Sequence, residues 1–224
     1  NKFGISYRIQ TLSKLVFYFW EGWNIFISNL AVSLYSSSTL VLLGLFTNNI
    51  VVGYYSIADK LISAIKGMIS PISQALFPYI SRLVQNSKDQ VLDLLRKMIF
   101  VFGTVMLIIS LSIFVFADIV VVKLFGIIAS DSIIILRILS IIPFLVSLDT
   151  ILGVLNMLVF KRNKQYRNII LCSGIVNLLI ALLLIPTYKH IGAAISVLFV
   201  ELLITISLFV YTQRNDLNIF GRHN

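Results

Sequence analysis

Charge is what this chain has least of: 12% of its 224 residues are Asp, Glu, Lys or Arg, against 58% that are hydrophobic. With a mean hydropathy of +0.98, it holds more apolar surface than one soluble core could bury, so a water-soluble domain is excluded. The single cysteine, Cys172, sits in an apolar run. It rules out a disulfide framework within the chain and makes a thiolate metal site unexpected, so Cys172 reads as a packing residue. His190 and His223 are isolated, lack metal-ligand spacing, and read as turn and tail residues. Gly-rich phosphate loops and nucleophile motifs are missing. No catalytic residue, cofactor or metal is therefore expected, and the chain does not read as an enzyme. No basic start with a short apolar run and a small-residue cleavage site opens the sequence, so no signal peptide is expected. It begins with Asn1 instead of Met, which suggests part of a longer protein.

What is present is a series of apolar runs of about 20 residues, the length at which a helix crosses hydrocarbon. They predict spans near 23 to 46, 52 to 82, 98 to 118, 132 to 159, 169 to 186 and 191 to 212. A transmembrane β-barrel is excluded, because its segments would be shorter and would alternate polar with apolar. The connections are short and no stretch reads as a soluble domain. An all-α membrane protein is expected, with residues 1 to 224 forming one helical unit.

The formal charge of +9 raises the question of nucleic acid, but topology accounts for it. Thirteen of the 18 Lys and Arg residues fall at the two ends and in the turns around 82 to 97 and 161 to 167. The opposite turns hold Lys123 and Lys189, and Lys60, Lys66 and Arg137 fall inside spans. By the positive-inside rule both termini are cytoplasmic, and "KRNKQYR" is a cytoplasmic turn, with no nucleic-acid partner implied.

The second span is unusual. At roughly 100° per residue, Tyr55, Asp59, Ser63, Lys66, Ser70, Ser73, Gln74 and Ser81 share one face. A helix lying on the membrane surface competes with a crossing here, but the count of crossings needs this one to traverse. An ionised group at mid-bilayer costs roughly 2.5 to 3.5 kcal/mol on insertion scales, which drives it toward a water-filled or protein-lined interior. The stripe therefore reads as cavity wall. Asp59 and Lys66 stand about 10 Å apart along a straight helix, too far for a tight pair. Pro71 and Pro78 each remove a backbone hydrogen bond, to the carbonyls of Gly67 and Gln74, so the segment should bend or loosen there.

Other polar groups lie deep in apolar runs. The first span carries Asn24, Asn29, Ser33, Tyr35, Ser36 and Thr39, with Glu21 near its cytoplasmic end, and hydrogen bonds between neighbouring helices explain many of these. In the fourth, Arg137 lies near the outer end, where it could snorkel, while Asp149 and Asn156 share a face. Glu201 falls near the centre of the last run, where a carboxylate needs a proton or a partner such as Lys66. Lys66, Asp59, Lys60, Tyr55, Gln74, Asn29 and Arg137 are thus the candidate lumen-lining or substrate residues, and Asp149 and Glu201 the coupling-ion candidates.

"VGYYSIADKL" (52 to 61), "ISPISQALFPYISR" (69 to 82), "LFG" with "ILRILSIIPF" (124 to 144) and "IGAAISVLFVE" (191 to 201) together resemble the C-terminal half of Wzx-type O-antigen and polysaccharide flippases, within the multidrug and oligosaccharidyl-lipid exporter superfamily. The similarity runs over roughly residues 20 to 212. It implies a six-transmembrane-helix lobe of a two-lobe exporter in the bacterial inner membrane. Such an exporter moves an undecaprenyl-diphosphate-linked oligosaccharide between leaflets by alternating access, with H+ or Na+ as possible coupling ion. The N-terminal lobe is absent from this chain, so a missing half or a second copy is the implied partner. A lysine in the lumen matches the diphosphate's charge. The rival reading within the superfamily is a drug/cation antiporter that uses Asp149 and Glu201; the balance of cations and anions favours the flippase. A membrane enzyme would need a larger outward loop bearing acids, bases or arginines.

Overall fold

The computed structural model describes residues 12–126 and 130–219. Lys2, Arg8, Arg222 and His223 lie outside the described residues, as do the side chains of Lys14, Glu21, Asn24, Tyr35 and Ser36. Helix α1 runs Leu12–Phe46. The Asn48 side chain accepts from the Val51 N–H at 3.0 Å and so starts α2, Asn49–Gly67. α2 gives way to α3, Ile69–Asn86, at Met68. The cause is Pro71, which has no N–H for the Gly67 carbonyl; beside it the Met68 N–H closes a tighter turn on Ile65 at 3.1 Å. Pro78 sits inside α3 without ending it, so of the two expected weak points only the first becomes a break.

Ser87 then caps α4, Lys88–Met98, which continues through a π-helical segment, Ile99–Gly103, into α5, Thr104–Phe125. Gly126 ends α5 at φ +83°, a conformation that favours glycine. α6, Asp131–Leu139, is offset from α7, Ile142–Asp149, where Pro143 occupies the first turn, and a second π-helical segment, Thr150–Leu158, follows. α8 spans Asn163–Arg214 but breaks at Lys189, where φ is 50°, three residues after Pro186. Its two limbs fold back on each other. Ala181 and Ile185 share one apolar cluster with Ala193 and Ala194, and Ile170 shares another with Val200, Ile204 and Leu208.

Among the described residues every regular element is helical, and three stretches, Lys88–Phe125, Asp131–Leu158 and Asn163–Arg214, are long and apolar enough to cross a membrane. The chain is an all-α membrane protein. The first cluster, around Leu43, Ile62, Ile135 and Ile185, fills the end of the bundle near the break at Lys189. The second, around Ile80, Leu92, Leu155 and Leu208, fills the opposite end. There the segment after α8 is tied back: Arg96 Nε donates to the Ile219 carbonyl at 2.7 Å and Asn156 Nδ2 to that of Leu217 at 3.1 Å. Midway, Asn177 Nδ2 on α8 donates to Thr39 Oγ1 on α1 at 3.1 Å, both buried, the interhelical bond expected for a polar group in the first span. Outward faces expose Ile108, Phe116, Leu179 and Leu183, surface that suits hydrocarbon and not water. Cys172 is exposed among them. Its expected packing role is corrected accordingly: the first limb of α8 buries Ser173 and Gly174 and turns the cysteine outward.

Candidate functional site

Between the two apolar clusters lies a cavity of about 370 Å³ whose wall includes Asn29 from α1, Lys66 from α2, Ser70 from α3, Asp149 from α7, and Tyr166 and Glu201 from the two limbs of α8. Two of its lining residues stand next to interruptions in their helices. The break at Met68 leaves Lys66 in the last turn of α2, in the cavity wall. Asp149 is the last residue of α7, where the backbone passes into the π-helical segment. Wide turns of that kind re-aim side chains and are frequent at functional sites.

Both Asp149 oxygens are buried without a hydrogen-bond partner. Thr205 stands close by, but its hydroxyl donates to the Glu201 carbonyl at 2.9 Å. Glu201 is 5% exposed, and the two carboxyls act on each other electrostatically. Tyr166 feels both. It is held by close packing on bare backbone, since a Cβ at Gly153 would lie 2.5 Å from the Tyr166 ring. Lys66 is half-buried and takes part in none of the ion pairs found among the described residues, such as Lys97–Asp93 and Arg137–Asp118.

Four residues singled out in the sequence, Asn29, Lys66, Asp149 and Glu201, are thus brought together from four separate rods. Gln74 is attached to this group indirectly, its Nε2 donating to Ser70 Oγ at 2.8 Å. Others stand apart. Tyr55 is buried in the apolar cluster near the Lys189 end, Asp59 is half-buried and Lys60 exposed on the same helix. Arg137 pairs with Asp118 on α5 at 2.6 Å, so a carboxylate, in addition to any headgroup, takes up its charge. Ser81 lines a different cavity, of about 520 Å³, with Phe77, Gln85 and Lys161. Asn156 does not join Asp149: the π-helical turns between them sweep less angle per residue than an α-helix, and Asn156 is buried against Leu217. Tyr166 and Thr150 were missed. The tyrosine lies in the basic run "KRNKQYR", and the one signal that could have found it is its spacing of four from the buried Ile170 on the same helix face. Among the described residues, no group of three His, Cys, Asp or Glu side chains could hold a metal ion.

Comparison with known proteins gives a consistent picture. Residues 2–84 match the family described as polysaccharide biosynthesis protein. A protein of Escherichia coli (strain K12) named "Putative O-antigen transporter" is 31% identical over 197 residues, covering 88% of this chain and 48% of the relative. One of the same name from Shigella dysenteriae is 29% identical over 186 residues, covering 83% of this chain and 46% of the relative. The chain spans about half the length of these curated relatives. No solved structure matches it. The resemblance drawn from the sequence motifs is found again in both the family match and the relatives.

Proposed function

We propose that this chain is one six-helix lobe of an exporter that carries an undecaprenyl-diphosphate-linked oligosaccharide across the bacterial inner membrane by alternating access, for surface polysaccharide biosynthesis. One observation carries the reading. A lysine, two carboxyls, an asparagine and a tyrosine from different rods meet in one cavity between two apolar layers, in a chain whose relatives are named for O-antigen transport. Asn29 and Ser70 are exposed, so the cavity is open on the side where a second lobe, the missing half or another copy, would complete a lumen. All six rods cross the bilayer in this reading. The α2–α3 rod does so despite its polar stripe because Lys66 faces the cavity and not lipid. A break in a helix beside a polar cavity is the arrangement that transporters use at their binding sites.

Proteoliposomes holding the full-length gene product and a fluorescent lipid-linked oligosaccharide provide the test. The sugar should become accessible at the opposite leaflet, and protein-free vesicles should show none. If the same vesicles leave the sugar lipid in place but exchange small organic cations for protons, the chain belongs to a drug/cation antiporter.

Orientation follows from the Lys and Arg distribution, with both termini and the 161 to 167 turn cytoplasmic. After replacement of Cys172, a cysteine placed at Lys164 should resist impermeant maleimide in intact cells and react after lysis. Reaction in intact cells would invert the topology.

A further inference from the structure

A hollow of about 230 Å³ lies behind the polar cavity, and each of the three stretches long and apolar enough to cross a membrane contributes to it. Ile99 comes from the first π-helical segment, Leu148 and Leu152 from α7 and the π-helical turns that follow it, and Thr205, Ile206 and Phe209 from the second limb of α8. α7 and its continuation form the floor. The first π-helical segment and α8 are the banks, each packed on α7 and not closely on each other. One layer of helix separates this hollow from the cavity. Along α7 and the turns after it, Asp149 and Thr150 line the cavity while Leu148 and Leu152 line the hollow; along α8, Glu201 and Ile204 line the cavity while Thr205, Ile206 and Phe209 line the hollow.

The hollow has nothing to offer water. Five of its six lining side chains are hydrocarbon, and the Thr205 hydroxyl is engaged with the Glu201 carbonyl at 2.9 Å. An apolar space of about 150 Å³ stays dry and accepts an apolar guest, and this one is of that order. It is smaller than the roughly 300 to 1,000 Å³ of pockets that enclose a drug-sized molecule, so a slim guest suits it. Its rim continues the surface that meets hydrocarbon: Ile206 and Phe209 are exposed, and so are Phe100 and Val101 beside Ile99. Thr205 and Phe209 stand about one and two turns beyond Glu201 on the same limb, at a depth that bilayer chains reach. The bilayer presents alkyl chains at far higher concentration than any scarce apolar guest, and occupancy follows concentration.

We propose that this hollow seats one acyl chain of a phospholipid from the surrounding bilayer, and that the seated chain stabilises the helix layer carrying Asp149 and Glu201. The chain is held by close contact alone, many weak attractions that an empty hollow would forfeit. The site is separate from the cavity and does not depend on what the cavity carries.

Photolabelling of the full-length protein tests the seat. In vesicles of phosphatidylethanolamine and phosphatidylglycerol with a small fraction of a phosphatidylcholine bearing a diazirine on one acyl chain, Ile99, Leu152 and Phe209 should be labelled several-fold more than Val101 and Val105, which are exposed to lipid outside the hollow. Even labelling, or none in the hollow because another part of the protein covers it, overturns the proposal. Ile206→Trp, which closes the mouth from its exposed rim, and Leu152→Phe, which fills the hollow from its floor, should each bring Ile99 and Phe209 down to the level of Val101 while Val101 itself keeps its label. Enrichment that persists in both variants overturns the seat. Enrichment that an equal amount of farnesyl phosphate erases assigns the hollow to an isoprenoid chain and overturns the phospholipid. Thermal melting in detergent tests the stabilisation, because a guest that binds the folded protein raises its melting temperature. Added long-chain phospholipid should raise it more in the wild type than in Leu152→Phe, and an equal rise in both overturns the stabilising role.

Discussion

Reversal of the charge at Lys66 should nearly abolish export. A hydrogen bond to a charged group contributes roughly 1.5 to 3 kcal/mol, so its loss in Lys66→Gln should lower transport of the lipid-linked sugar by about 10- to 100-fold. Lys66→Arg keeps the charge but spreads it over a planar fork, and should retain part of the activity. Lys66→Glu does more than remove an attraction. It sets a third carboxyl in the cavity that already holds Asp149 and Glu201, in the path of an anionic ligand. The series is measured in the full-length protein at matched expression, by surface polysaccharide in cells and by vesicle transport. A purely structural role for Lys66, as the counter-charge of Glu201 or Asp59, makes a different forecast. Under that view Lys66→Glu combined with Glu201→Lys, or with Asp59→Lys, restores activity; under the lumen reading neither exchange does. Normal polysaccharide from Lys66→Glu alone would end the claim that this residue meets substrate.

Gly192→Val should cost the protein its fold. A Cβ at this position would lie 2.5 Å from the Leu184 carbonyl oxygen and 2.7 Å from its carbon, and backbone cannot swing aside as a side-chain tip can. The two limbs of α8 would have to separate where Ala181, Ile185, Ala193 and Ala194 pack. Small residues at such crossings are what allow membrane helices to approach closely. Gly192→Ala should cost about 1 to 3 kcal/mol by overpacking, which lowers the melting temperature by roughly 2 to 12 °C for a chain of this size. The valine variant should elute from size exclusion in detergent as aggregate. A Gly192→Val protein that elutes with the wild-type profile and melts within a degree of it would show that the limbs do not meet at this residue. Because Glu201 and Tyr166 sit on opposite limbs, the alanine variant should also disturb the cavity they line, visible as reduced vesicle transport at matched protein amount.

Much of the architecture was legible in one dimension because hydrocarbon imposes a simple rule: backbone polar groups must be satisfied within the segment, so apolar length translates directly into helix. Among the described residues the apolar runs are helical, three of them long enough to cross a membrane, and the missing N–H of Pro71 marked the break at Met68. The cost of charge in lipid likewise picked out Lys66, Asp149 and Glu201 before any fold was known. Periodicity could not say which of these would meet. A period of 3.6 assumes an unbroken α-helix, and the π-helical turns at Thr150–Leu158 turned Asn156 away from Asp149. The stripe on the second span promised one continuous wall, yet Tyr55 is sealed among apolar side chains while Lys66, eleven residues on, is not. The sequence left Arg137 between the lumen and the outer headgroups, and could not show that α5 supplies Asp118 at 2.6 Å, a partner 19 positions away. Tyr166, hidden in a basic turn, enters the cavity only because Gly153 leaves room for its ring. Composition and spacing determined that the chain lives in a membrane and which groups must be sheltered there. The folding of α8 back on itself and the packing of α7 beside it decided which groups share a shelter, because contact between distant residues depends on how rods pack, and a helix's own period carries no information about its neighbours.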